Sequence, residues 1–287
     1  RGALRGALRG ALRGALRGAL RGGAGAGRVA VEEGAPLQNY DEFYRPQIHF
    51  TPQRNWMNDP NGPIYLDGEY HLFYQYNPEG IEWGEISWAH VKSRDLLHWE
   101  QLPLALRPDP VLGFPFSGSI VIDGEDSSGL FGPGGGLVAL FTNVDPEEFS
   151  RQSQSVAYSR DRGITWELYP GNPVIANTGG GHFRDPKVFW HGESESWILV
   201  VAHEDEVLIY RSPDLLSWHY ASRFGSTAGS HAGIWECPDL FELPVMSAKE
   251  RDNRVPESGI RPARRGPVSS DGPGGRSGAP GEAAEGR

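Results

Sequence analysis

One turn motif recurs three times along this 287-residue chain: SRDLLHW at Ser93–Trp99, SRDRGITW at Ser159–Trp166 and SPDLLSW at Ser212–Trp218. Each copy follows a short run rich in Val, Ile, Tyr, Phe and Trp, and successive copies begin 66 and 53 residues apart. That spacing suits one four-stranded sheet per repeat, with the same Asp turn and blade-core Trp returning once per sheet, as in a β-propeller. Three copies predict three blades. The runs between the turns, among them GEYHLFYQYN, ISWAHVKS, GLVALFTNV, SQSVAYS, KVFWH, SWILVVA and EVLIYRS, read as strands bounded by Gly, Pro, Asn and Asp. No segment keeps apolar residues three and four apart for the length a helix needs, so the class is all-β.

All 31 aromatic side chains fall between Tyr40 and Phe241. Residues 1–28 open with Arg-Gly-Ala-Leu five times over, and 246–287 are rich in Gly, Arg, Pro and Ser. Neither stretch has the apolar content to build a core, so both are expected to be disordered and the folded part is expected at 40–245. The N-terminal repeat also lacks the apolar h-region and cleavage site of a signal peptide and so shows no export signal.

Charge narrows the partner. The net value is −10, but residues 1–28 hold seven Arg and no acid, and 249–287 hold eight bases and six acids, so 29–248 carries −19. A surface of that sign repels nucleic acid and anionic membranes, and a neutral partner such as a sugar fits it better. The longest apolar run, Trp197 to Ala202, is far short of the roughly 20 residues of a membrane span. Cys237 is the single cysteine, which excludes an intrachain disulfide and a Cys-based zinc cluster. The nine His form no HExxH or paired ligand spacing; His203-Glu204-Asp205 reads as a polar turn, and no metal or other cofactor is implied. GPGGG at Gly132–Gly136 lacks the Lys-Ser/Thr of a phosphate loop and reads as a hairpin loop.

On a propeller the first strand of each blade lines one axial funnel, so a site assembled from several blades appears as motifs about one blade apart. Four such motifs are present: WMNDPNG around Asp59, FSGS at Phe116–Ser119, FRDP at Phe183–Pro186 and WECPD around Glu236. The steps from Asp59 to Ser117, Asp185 and Glu236 are 58, 68 and 51 residues. Three of the motifs hold a carboxylate among Trp, Phe and Pro. Taken singly, Asp59 before Pro60 fits a turn cap and Asp185 beside Arg184 fits an ion pair. Together, three apolar-flanked acids at blade spacing fit acetal cleavage, in which one carboxyl protonates the leaving oxygen and another traps or stabilises the oxocarbenium-like carbon.

WMNDPNG, FYQYNP, WGEISWAH, FSGS, FRDPKVFW and WECPDLFELP closely resemble glycoside hydrolase family 32, the β-fructofuranosidases, and within it the levanases and exo-inulinases. The resemblance covers about 40–245. It implies a five-bladed propeller followed by a β-sandwich, and removal of fructose from sucrose, inulin or levan with retention. Carried over by position, it makes Asp59 the nucleophile, Glu236 the general acid/base and Asp185 the transition-state stabiliser. Asn58, Gln75, Trp83, Phe116, Ser117 and Arg184 become the fructose pocket.

These roles set physical expectations. Glu236 between Trp235, Cys237 and Pro238, with two carboxylates nearby, should keep its proton toward neutral pH through desolvation and like-charge repulsion. Asp59 should stay ionised, with Asn58 and the amides of the Asn61–Gly62 turn as donors. Trp83 and Trp88 are candidates for an apolar sugar platform. Cys237 has no His partner and reads as a buried packing residue rather than a nucleophile. The similarity ends at Val245, just after the motif that opens a fourth blade, so three blades and the start of a fourth are expected, without the sandwich. A catalytically inactive remnant that at most binds sugar, and a fructosyltransferase, stay open beside the hydrolase. WMNDPNG and WECPDLFELP speak against a five-bladed glycosidase acting on arabinan or xylan.

Overall fold

The computed structural model describes residues 40–243 and Val245; the N-terminal repeat and the tail from 246 onward, expected to be disordered, lie outside the described residues. The class is all-β: twelve strands and one 3-10 turn at Gly192–Ser194, with no α-helix among the described residues. The strands make three four-stranded antiparallel sheets, each a meander in chain order. Sheet I holds β1 (Met57–Leu66), β2 (Glu69–Tyr76), β3 (Ser87–Ser93) and β4 (Glu100–Leu106). Sheet II holds β5 (Phe114–Asp123), β6 (Gly136–Val144), β7 (Gln152–Ser159) and β8 (Glu167–Leu168). Sheet III holds β9 (Phe183–His191), β10 (Ser196–His203), β11 (Glu206–Ser212) and β12 (His219–Phe224).

The recurrent turn joins the third strand to the fourth in every sheet, with the same bonds each time. The Ser hydroxyl donates to the Asp two residues on: Ser93 to Asp95 at 3.1 Å, Ser159 to Asp161 at 2.9 Å, Ser212 to Asp214 at 3.0 Å. The same carboxylates accept backbone N–H groups of His98, Thr165 and Ser217, an Asx-type closure that needs no distant partner. Each Trp then donates its indole N–H to a carbonyl three residues back, Leu96, Gly163 or Leu215. That bond ties Trp99, Trp166 and Trp218 to the turn. They are half-buried against the sheets and are not the blade-core residues the sequence suggested.

Two cores lie between sheets, and a third, of Tyr74, Tyr76, Ala89 and Val91, lies on sheet I alone. On β6, Leu137, Ala139 and Phe141 meet Phe73, Trp88 and Leu106 of sheet I, together with Ile120 of β5. The alternate residues Val138 and Leu140 meet Phe183, Val188, Trp197, Leu199 and Val201 of sheet III. Side chains alternate across a strand, so β6 is buried on both faces, with the apolar stretch Leu137–Phe141 followed by buried Thr142 and Asn143. Full burial of each large side chain contributes about 1.5–3 kcal/mol.

Stacking of the sheets sets the first strands side by side, with β5 alongside both β1 and β9. Gly62, at φ 48°, lets β1 approach β5: a Cβ there would stand 2.5 Å from the Ile120 side chain. The compact unit that contains the three sheets ends at Leu240. In the second unit, which begins at Phe241, the described residues Phe241, Glu242, Leu243 and Val245 are exposed and have no regular structure.

Candidate active site

Each first strand breaks its register at the motif residues. Met57 pairs with Tyr76 and Pro60 with Tyr74, so Asn58 and Asp59 together face Gln75. Pro115 pairs with Asn143 and Gly118 with Phe141, so Phe116 and Ser117 face Thr142. Arg184 pairs with Ala202 and Lys187 with Val200, so Asp185 and Pro186 face Val201. Three two-against-one bulges thus occur at equivalent places, and a bulge re-aims the side chains it carries. Asn-Asp and Asp-Pro suit such irregular backbone better than regular ladder, and Asp185 takes φ 67°.

On β1 and β5 the bulges bring Asp59 and Ser117 together. The Ser117 hydroxyl donates to Asp59 Oδ2 at 2.6 Å, and the buried Gln75 amide donates to Ser117 Oγ at 2.7 Å. The donor to Asp59 is therefore Ser117, not Asn58 or the Asn61–Gly62 amides. Asn61 is buried and accepts the Gly118 N–H at 3.3 Å, and Asn58 is exposed beside Asp59.

Asp185 is 8% exposed. Its carboxylate accepts the Cys237 N–H at 2.9 Å, and its own N–H donates to Thr142 Oγ1 at 3.0 Å. Burial pushes the carboxyl above its usual range, helped by the charges of Asp59 and Glu236 and opposed by the Cys237 N–H and by Arg184. Arg184 Nε lies 3.9 Å from Asp185, while Arg184 Nη2 holds Glu236 Oε1 at 2.5 Å and Nη1 meets His182. The Asp185–Arg184 pairing weighed from sequence is thus the longer of two contacts, and Arg184 joins two acids.

The apolar enclosure expected for Glu236 is absent: its side chain is 62% exposed. Trp235 turns away, its ring against Gly225 and Gly229 and its N–H on the Ser230 carbonyl at 2.8 Å. Cys237 is exposed rather than buried, and its thiol is pushed up to about 12 by desolvation, then by Asp185 and Asp59. A thiol so far from ionising is a poor nucleophile at neutral pH.

The two candidate platform Trp residues divide. Trp88 is fully buried in the core between sheets I and II, its indole N–H on the Phe116 carbonyl at 3.0 Å, and offers no surface to a sugar. Trp83 is 36% exposed and stands among Phe114, Phe116 and Phe149. Phe149, Gln152 and Thr142 are site neighbours that the motif reading missed. Only Gln152 left a sequence trace, its alternation with polar Gln154 at the head of a strand that continues Val156-Ala157-Tyr158, and both Gln are buried. Among the described residues no group of three His, Cys, Asp or Glu side chains is placed to hold a metal ion.

Over residues 49–257 the chain matches the glycosyl hydrolases family 32 N-terminal domain. It is 55% identical over 214 residues to the levanase of Bacillus subtilis (strain 168), covering 74% of this chain and 31% of that protein. It is 45% identical over 261 residues to an extracellular exo-inulinase of Aspergillus niger, covering 82% of this chain and 48% of that protein. The crystal structure of exo-inulinase from Aspergillus awamori superposes with a TM-score of 0.68 at 45% identity, over 73% of this chain and 45% of that one. The chain thus spans less than half the length of these relatives.

Proposed function

Because the chain belongs to glycosyl hydrolases family 32, we propose that it releases terminal β-D-fructofuranosyl residues from fructans such as levan or inulin, or from sucrose, by retaining double displacement. In this reading the three sheets are successive blades of a five-bladed propeller. The Asp59 carboxylate attacks the fructosyl anomeric carbon while Glu236 gives a proton to the departing oxygen. Water then cleaves the fructosyl–Asp59 ester, with Glu236 taking the water's proton. Asp185 stays in place beside the carbon that becomes positively charged, and grips fructose hydroxyls.

The observation that carries the reading is the gathering of Asp59, Asp185 and Glu236 into one electrostatic neighbourhood, each in a different setting. Asp59 has one short charge-assisted bond from Ser117 to fix its attacking oxygen. Asp185 is sealed and held at both backbone and side chain. Glu236 is open to solvent, as suits a group that must take up a proton and return it. Substrate entry shuts out that water and draws Arg184 onto sugar hydroxyls, leaving Glu236 to serve the leaving oxygen. Gln75 and Ser117 act by holding Asp59. Trp83 and Phe116 form an apolar wall, and Asn58 meets the sugar.

Fructose release from levan, inulin and sucrose by the 287-residue chain, beside Asp59→Asn and Glu236→Gln, tests this. Release by the wild type, with both variants slower by about a hundredfold or more, supports the roles. A wild type as inert as the variants overturns the hydrolase reading.

A further inference from the structure

The loop between β6 and β7 brings Phe149 to the site. Its ring centroid lies 5.7 Å from Trp83 and 6.2 Å from Phe116, and those two meet edge to face at 6.3 Å. Phe114, buried, backs Trp83 at 6.4 Å. Trp83, Phe116 and Phe149 each keep exposed surface, unlike rings that merely fill a core. Phe116 is also one residue from Ser117, which is bonded to Asp59.

The loop is firmly built. Asp145 N–H donates to the Arg151 carbonyl at 3.1 Å and Arg151 N–H to the Glu148 carbonyl at 2.8 Å. The Arg151 side chain pairs with Asp145 at 3.3 Å and Glu148 at 3.1 Å. The link to the site is Gln152, 4% exposed. Its Nε2 donates to the Phe149 carbonyl at 2.9 Å, and its Oε1 accepts the Phe183 N–H at 2.7 Å. One buried amide therefore joins the Phe149 loop to β9 two residues before Asp185. A buried amide satisfied at both ends by backbone of separate segments fixes their relative position.

We propose that Phe149 is a wall of the fructosyl-binding pocket and that Gln152 is its positioning residue. This rests on the fructosidase reading and specifies which part of the substrate the wall meets. In a retaining displacement the nucleophile and the acid stand on opposite sides of the scissile carbon. The three rings connect to Asp59 through Ser117, whereas Glu236 stands with Arg184. The wall therefore meets the C–H face of the fructosyl unit being trapped, not the departing sugar. The trapped unit is common to sucrose, inulin and levan, so the wall acts on all three alike.

The test is a set of kcat and KM values for the three substrates with Phe149→Ala, Phe149→Trp and Gln152→Ala, alongside thermal melts and calorimetric titration with fructose. Phe149→Ala should raise KM about threefold to tenfold on every substrate, the size of one lost aromatic contact, with kcat and melting temperature little changed. Phe149→Trp should regain part of that loss. Gln152→Ala should move KM in the same direction and add little when combined with Phe149→Ala. Unchanged kcat/KM in Phe149→Ala on an active wild-type background overturns the wall, and so does a loss confined to one substrate. If Gln152→Ala fails to fold, the Phe149 variants still decide the wall and Gln152→Glu replaces it as the anchor test. A wild type that releases no fructose sinks the hydrolase reading instead; the wall then stands only if fructose binds and Phe149→Ala weakens it.

Discussion

Asp185 holds its place against two preferences of its own. A left-handed backbone at a non-glycine residue costs on the order of 1–3 kcal/mol, and a buried carboxylate resists charging. Thr142 takes its N–H, the Thr142 hydroxyl donates to Gln154 Oε1 at 2.9 Å, and Gln154 Nε2 donates to the Phe183 carbonyl at 2.9 Å. Because burial raises the carboxyl above its unfolded value of about 3.9, the folded chain binds this proton more tightly than the unfolded one. The group's contribution is therefore most favourable at low pH and is lost as pH rises through the raised value. At neutral pH the charge is a net cost. Asp185→Asn removes the charge and keeps an acceptor for the Cys237 N–H, so it should melt higher at pH 7, by about 2–4 °C for each kcal/mol regained. The gain should shrink toward pH 4, and under the proposed function fructose release should collapse. An Asn variant that melts lower at pH 7 would mean that bonds to the carboxylate outweigh its burial. The acids themselves were legible, because each stood out among apolar neighbours in the chain. Their surroundings were not: Trp235 flanks Glu236 in sequence but lies over Gly225 and Gly229, so adjacency gave no cover.

At the level of strands, the site depends on how closely β1 and β5 approach. Local chemistry made the Ser-x-Asp turns readable, since every partner lies within a few residues, and seven of the twelve strands fall on apolar runs visible in the sequence. β1 was not among them. Its Asn, Asp, Pro and Gly are turn residues in isolation and become strand only through two register breaks. The Ser117–Asp59 bond spans 58 residues and exists because Gly62 leaves room for Ile120. Gly62→Ala adds a left-handed cost of about 1 kcal/mol and overpacking of about 1–3 kcal/mol. It should lower stability by their sum and slow turnover as Asp59 is drawn from Ser117. Ile120→Ala opens space for the new methyl, so a denaturation cycle over Gly62→Ala, Ile120→Ala and the double variant should be clearly non-additive, with only the backbone cost persisting. Strict additivity would mean that the two strands do not press on each other here.

Across the whole molecule, β6 makes three sheets into one folding unit. Its alternate residues serve different cores, Leu137, Ala139 and Phe141 toward sheet I and Val138 and Leu140 toward sheet III, so neither core survives the loss of this strand. The repeat of turns announced three sheets and GLVALFTNV announced a strand, but that this strand is covered on both faces emerged only from the structure. Which sheet covers which face was not legible, because it depends on how the sheets stack. Phe141→Ala should cost about 3–5 kcal/mol and Leu140→Ala about 2–5 kcal/mol, through opposite cores. If the unit is cooperative, each shifts one shared transition, seen alike by far-ultraviolet circular dichroism and by tryptophan fluorescence. A separate early transition in Leu140→Ala, leaving the rest of the melt in place, would mean that sheet III folds apart from sheets I and II. The site binds that question to function, since Asp59 comes from sheet I, Ser117 from sheet II and Asp185 from sheet III. Under the proposed function, a cooperative chain loses fructose release and folded structure at one temperature, and a divided chain loses fructose release first, when Asp185 leaves the neighbourhood of Asp59.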